Sequence, residues 1–284
     1  MCKKREVVCS QTNRLLNRVE YKDKEKYLMF EKMVPLSLER HRHHRVRHST
    51  NLKFAAPFHI AYLTSHEFTR AGAVYPIVFV EDKADSGYRS VALMGLTAGE
   101  NLFVDRSGQW QASYIPAMIR RYPFALSKQE GSDRYLVCVD EGSALLDDKE
   151  GAPLFDAAGQ PTEVVENVKR YLSELQAMDK ITRELAAFLV QHDLLVPLNL
   201  RVNAASQLRK ITGCFIVSEE RFNALPDEVI VEMRQRRFLS AVYAHLMSLP
   251  QIERLVELSK RRAALAAAKN KPAARRKPRT AAAH

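Results

Sequence analysis

Two adjacent arginines, Arg120 and Arg121, follow shortly after the single tryptophan of the chain, Trp110. Paired guanidinium forks suit bidentate recognition of a carboxylate or phosphate. An indole beside them can form the apolar wall of a pocket. Asn101 lies in the same stretch, 99–124, and completes the candidate ligand-binding set Asn101, Trp110, Arg120 and Arg121. The same residues also admit a structural reading, with Trp110 packed in the core and the arginines paired to carboxylates of the body.

The run His41-Arg-His-His-Arg-Val-Arg-His48 holds four imidazoles in eight residues, enough donors for a borderline metal. Three interleaved arginines oppose cation binding, so the run reads as a solvated basic arm and no metal site is assigned. His59 and His245 stand alone and read as core or interface histidines. The four cysteines, Cys2, Cys9, Cys138 and Cys214, form no CxxC pair. Cys138 and Cys214 sit in apolar runs and read as buried thiols, a usage that fits a reducing compartment. The acidic stretch from Asp140 to Glu150 lacks the ligand spacing of a calcium loop and reads as solvated.

Dinucleotide, P-loop and serine-hydrolase signatures are absent, and His66-Glu67 is not followed by a second histidine at the metalloprotease spacing. No cofactor, reaction or catalytic residue is assigned on these grounds.

The elements that must position these residues change character along the chain. Pro76–Val80, Val91–Leu96, Asn101–Val104 and Arg134–Val139 are short apolar runs bounded by turn clusters, which predicts strands covered on both faces. A turn at Asp105–Gly108 predicts a hairpin. Ile115, Met118, Ile119 and Tyr122 share a helical face that Ser113 can cap and Pro123 ends. Farther on, Val165, Val168, Leu172 and Leu175 form one apolar stripe, and Ile181, Leu185, Phe188 and Leu189 another. A short strand is expected at Ile211–Val217. After Pro226 comes a helix in which Leu239, Val242, Tyr243 and Leu246 share a face, and beyond Pro250 the helical period resumes. A strand-rich N-terminal half with one inserted helix, followed by long amphipathic helices packed on the sheet, is an α+β fold.

The chain has 284 residues and a formal net charge of +11, which invites a nucleic-acid reading. The charge is unevenly placed. Residues 1–54 hold 14 basic and 6 acidic residues, and 260–284 hold 9 basic and none acidic. The body between them, 55–259, holds 21 basic and 27 acidic residues. Contact with nucleic acid or an anionic surface is therefore expected only through the tail 260–284. That tail is rich in Ala, Lys and Arg; its alanine spacing prolongs the last helix to about Lys269, and disorder is expected beyond. Residues 1–32 lack periodicity and read as a disordered extension, or as sequence upstream of a start at Met33. No apolar stretch is long enough to cross a bilayer and no secretory signal is present, so a cytoplasmic protein is expected.

Several motifs occur in an order that resembles the SapC family. They are Phe54-Ala-Ala-Pro-Phe58, Tyr75-Pro-Ile-Val-Phe79, Leu93-Met-Gly-Leu96, Asn101-Leu-Phe103, Gly108-Gln-Trp110, Tyr114-Ile-Pro-Ala117 and Arg120-Arg-Tyr-Pro-Phe124. Leu154-Phe155, Gly159-Gln-Pro-Thr162 and Tyr243-Ala-His-Leu-Met-Ser248 follow in register. The resemblance covers about 33–258, with Arg120-Arg-Tyr-Pro-Phe124 its most specific part. It implies a bacterial protein linked to a paracrystalline surface layer and brings no reaction, cofactor or catalytic residue. It does not extend to the like-named peptide-transporter permease, which has membrane spans. The leading reading is thus an accessory or structural protein acting on a protein partner, with surface association by family analogy alone. A ligand-binding or enzymatic domain around Trp110, Arg120 and Arg121 is the alternative, and binding through the basic tail a second one.

Overall fold

The computed structural model describes residues 29–269, apart from 83–85, 130, 133 and 205–206. Most of the apolar runs become strands of one antiparallel sheet. It contains Ile60–Tyr62 (β3), Ile77–Asp82 (β4), Gly87–Leu93 (β5), Leu195–Ala204 (β10) and Gln207–Val217 (β11), in the order β10-β11-β4-β5-β3. A second antiparallel sheet joins Met33–Pro35 (β1), Phe124–Lys128 (β6) and Tyr135–Asp140 (β7) in the order β1-β7-β6. A small third one pairs Arg45–Val46 (β2) with Leu146–Asp147 (β8) and Ala152–Pro153 (β9). Helices dominate the C-terminal half, and the fold is α+β.

The helices are Leu38–His41 (α1), Phe68–Gly72 (α2), Ala117–Arg120 (α3), Glu163–Gln191 (α4), Glu219–Asn223 (α5), Asp227–Gln235 (α6), Leu239–Ser248 (α7) and Gln251–Lys269 (α8). The two apolar stripes belong to the single helix α4, which at 29 residues is about 43 Å long. Its first half buries Val165 and Leu172 with Phe124, Val139 and Leu154 beneath the β6–β7 sheet. Its second half buries Leu185, Phe188 and Leu189 against the five-stranded sheet. One rigid element therefore spans both cores. At Gly72 an added Cβ would lie 3.0 Å from the Ala244 carbonyl oxygen, so the missing side chain lets α2 approach α7.

Several expectations are corrected. Asn101–Val104 is not a strand; only Val104 makes an isolated bridge, to Trp110 across the expected hairpin turn. The inserted helix is a single turn, α3, preceded by Pro116 and not capped by Ser113. The short late strand is the end of an eleven-residue strand, β11, that pairs along its length with β10. Pro197 is tolerated in β10 because that strand lies at the sheet edge. Tyr243 does not share the buried face of Val242; it is 54% exposed, whereas Ala241, Val242, His245 and Ser248 are buried.

The boundaries expected at 33 and 259 fall inside packed structure. Phe30 is 3% exposed, and the Glu31 and Lys32 amides donate to the Asp140 carboxylate at 3.0 and 2.7 Å. Helix α8 continues through Lys260 to Lys269, and its Arg262 donates to the carbonyls of Asn101 and Val104, each at 2.8 Å. Residues 1–28 and 270–284, on which the remaining expectations for the two ends rest, lie outside the described residues. Among the described residues no helix is long and apolar enough to cross a membrane.

Candidate functional site

Where the two cores meet, the chain leaves a cleft of about 780 Å³. One wall is the first half of α4, through Val164, Val168, Tyr171 and Leu172; the others are the segments 46–54 and 109–124. The lining includes Arg47, His48, Arg120 and Arg121 but no Asp or Glu. Phe54, Trp110, Tyr122 and Tyr171 give it aromatic walls.

Arg121 is the unusual member. It is 6% exposed, yet its Nε and Nη2 have no hydrogen-bond partner. Burial lowers its pKa to about 10. The nearby carboxylates are engaged elsewhere. Asp179 holds Arg183 at 3.0 Å and Arg89 at 3.4 Å, and Glu67 is filled by other donors. A buried guanidinium without a carboxylate is costly, because its charge has left water without an ionic partner. Its packing partner is the ring of Phe30, with the guanidinium carbon 5.3 Å from the ring centre.

The wall carrying Trp110 is fixed by a polar network that starts at Thr64. Thr64 and Glu67 form a capping box: Glu67 Oε2 accepts from the Thr64 amide at 2.9 Å and its hydroxyl at 3.0 Å. Glu67 Oε1 accepts from the Tyr114 hydroxyl at 2.8 Å and the Ala117 amide at 2.7 Å. Burial, reinforced by the Glu67 charge, pushes the Tyr114 phenol up. The Trp110 Nε1–H donates to the Tyr114 carbonyl at 2.9 Å and to the Tyr75 hydroxyl at 3.0 Å, and that hydroxyl donates to the same carbonyl. The indole is thus held rigidly with its N–H spent and its ring left to the cleft. At the hairpin turn Gly108 has φ +86°, and a Cβ there would lie 2.0 Å from Asn51 Oδ1, so a side chain is excluded.

The structure brings together three of the four candidate residues. Trp110, Arg120 and Arg121 line the cleft. Arg120 is exposed, donates from Nε to the Ile115 carbonyl at 3.0 Å and lies over the rings of Tyr114 and Tyr171. Asn101 is not in the cleft. It is fully buried, donates from Nδ2 to the Ala55 carbonyl at 3.0 Å and accepts the Phe103 amide at 2.9 Å. Glu67, Tyr75 and Tyr114 were missed, although Thr64-x-x-Glu67 is a readable capping signal.

The histidine run is not a solvated arm. His41 is fully buried with Nε2 3.4 Å from Glu141, and Arg45 and Arg47 donate to the carbonyls of Gly151 and Ala144 at 2.9 and 2.6 Å. Nor is the start of the acidic stretch solvated. Asp140 is fully buried, and Glu141 pairs with Lys32 at 2.8 Å and Arg40 at 2.7 Å. Among the described residues no group of three His, Cys, Asp or Glu side chains is placed to hold a metal. Cys138 and Cys214 are free and buried.

The motifs around this cleft, from Phe54 through Arg120-Arg-Tyr-Pro-Phe124, are those that resemble the SapC family, and the family's sequence model matches residues 36–255. The chain belongs to the SapC family. Comparison with curated proteins and with solved structures gives no match. In this SapC domain the cleft, the rigid Trp110 wall and Arg121 all lie within the matched region.

Proposed function

We propose that this SapC domain binds a small anionic molecule in the cleft between its two cores. One observation carries the reading: a buried guanidinium, Arg121, has two unpartnered nitrogens and lines a cleft without a carboxylate. An anion entering there supplies the missing counter-charge and repays the desolvation of Arg121. Trp110 and Phe54 offer apolar surface to the rest of the molecule.

This places ligand binding ahead of action through protein contacts. The latter, with its link to surface-layer production, rests on the family resemblance, whereas the cleft is a feature of this chain's own residues.

Thermal unfolding of the full chain tests the proposal, scanned against small carboxylates and phosphates with chloride as the control. A rise in melting temperature that disappears in Arg121→Ala is expected. No stabilisation by any anion, together with salt-resistant capture of one defined protein, reverses the order of the two readings.

A further inference from the structure

The free edge of Arg121 narrows the ligand further, and this step rests on the proposed anion-binding cleft. Nε and Nη2 form the side of the guanidinium that presents two roughly parallel N–H groups. The same chain shows what such an edge takes. Arg40 turns Nε and Nη2 to the Glu141 carboxylate, with contacts of 3.0, 2.7 and 2.9 Å. At Arg121 that carboxylate is missing.

The other cations of the cleft are committed. Arg120 donates to a carbonyl and lies over two tyrosines. Arg47 lies 3.7 Å from Asp147 and 3.6 Å from Glu150, and donates to Ala144. One free fork neutralises one negative charge, so the second charge of a phosphate dianion would lack an equivalent partner. The lining also contains no Asp or Glu to receive an ammonium group. The remaining walls near Arg121, including Phe54, Trp110, Ile119 and Val168, are apolar or aromatic.

We infer that the ligand is a monocarboxylate with an apolar body and no ammonium group, its carboxylate paired side-on with Arg121 and its body against Trp110 and Phe54. A free amino acid lacks a partner for its ammonium, and a nucleotide carries too much charge.

Trp110 is the only tryptophan, so its fluorescence reports binding in the full-length chain. Four probes separate the chemistry: 3-phenylpropionate, 3-phenylpropanol, phenylalanine and phenyl phosphate. The propionate should bind roughly tenfold or more tighter than each of the others, the scale of one charge-assisted bidentate pair. Arg121→Met should bring it down to the level of the alcohol. Arg121→Lys, which keeps the charge without the fork, should fall between, and circular dichroism confirms that both variants are folded. Tighter binding of phenyl phosphate overturns the carboxylate assignment while leaving the anion-binding cleft in place. Equal binding of phenylalanine overturns the exclusion of an ammonium group. Equal binding of the alcohol, or no response to any probe at millimolar concentration, overturns both this inference and the proposed function.

Discussion

The guanidinium carbon of Arg121 lies 5.3 Å from the centre of the Phe30 ring. The contact joins the N-terminal segment to the cleft, because Phe30 also stacks on Tyr122 at 5.7 Å and Tyr122 on Phe54 at 4.2 Å. Three rings in succession back the cleft, and the outermost precedes Met33. Phe30→Ala removes a ring that is 3% exposed, and a loss of roughly 3 kcal/mol is expected from the deleted buried surface and the hole left behind. Urea unfolding measures it. A chain starting at Met33 should lose at least as much; equal stability of the two chains would show that the segment 29–32 contributes nothing.

Arg121→Met should stabilise the ligand-free protein while abolishing anion binding. The substitution keeps much of the apolar stem and removes a buried charge without an ionic partner, a gain of roughly 1–3 kcal/mol. Opposite changes in stability and binding distinguish a residue kept for a ligand from one kept for the fold. A fall in the melting temperature of ligand-free Arg121→Met contradicts this account.

Glu67→Gln should destabilise by roughly 2–4 kcal/mol, although the side chains have the same shape. Both Glu67 oxygens accept hydrogen bonds, from Thr64, Tyr114 and Ala117. An amide puts a donor where an acceptor is required, in a site that is 7% exposed. Denaturant titration gives the loss, and Trp110 emission should shift with it because the network also fixes the indole. A variant as stable as the parent contradicts the network.

Acid should weaken the fold between about pH 6.5 and pH 4, in part through His245. Burial lowers its pKa to about 4 in the folded chain from the ordinary 6.5. Between those values the unfolded chain binds the proton and the folded chain does not, so stability is full above pH 6.5 and falls as pH drops toward 4. The total loss is roughly 3 kcal/mol for this histidine. Its Nε2 accepts the Val217 amide at 3.0 Å. His245→Gln retains an acceptor and should flatten the dependence of melting temperature on pH; an unchanged slope assigns the acid sensitivity elsewhere.

Periodic elements were legible wherever one physical demand controlled the residues. The stripes of α4 repeat because one helix face lies on two successive cores, and β4 and β5 read as apolar runs because both their faces are covered at Ile77–Phe79 and Val91–Leu93. The proximity of Trp110, Arg120 and Arg121 was legible because a hairpin and a one-turn helix fold a short stretch onto itself. Asn101 misled because a short amide side chain can be satisfied by nearby backbone instead of a ligand. Strand β10 was hidden by Pro197, Asn199 and Arg201, residues an edge strand accepts and a central one does not. The run 41–48 looked solvated because its partners are backbone carbonyls of a distant loop, which no side-chain pattern announces.

Arg262 divides the basic tail into two parts that answer different questions. Its guanidinium ties α8 to the carbonyls on either side of Leu102 and Phe103, so cutting the chain at 259 removes a bracket of the fold together with the charge. Cutting after Lys269 removes five basic residues and leaves that bracket in place. Only the second deletion isolates electrostatics. Loss of nucleic-acid affinity after the first would report a disturbed loop and a missing charge in one unresolvable number.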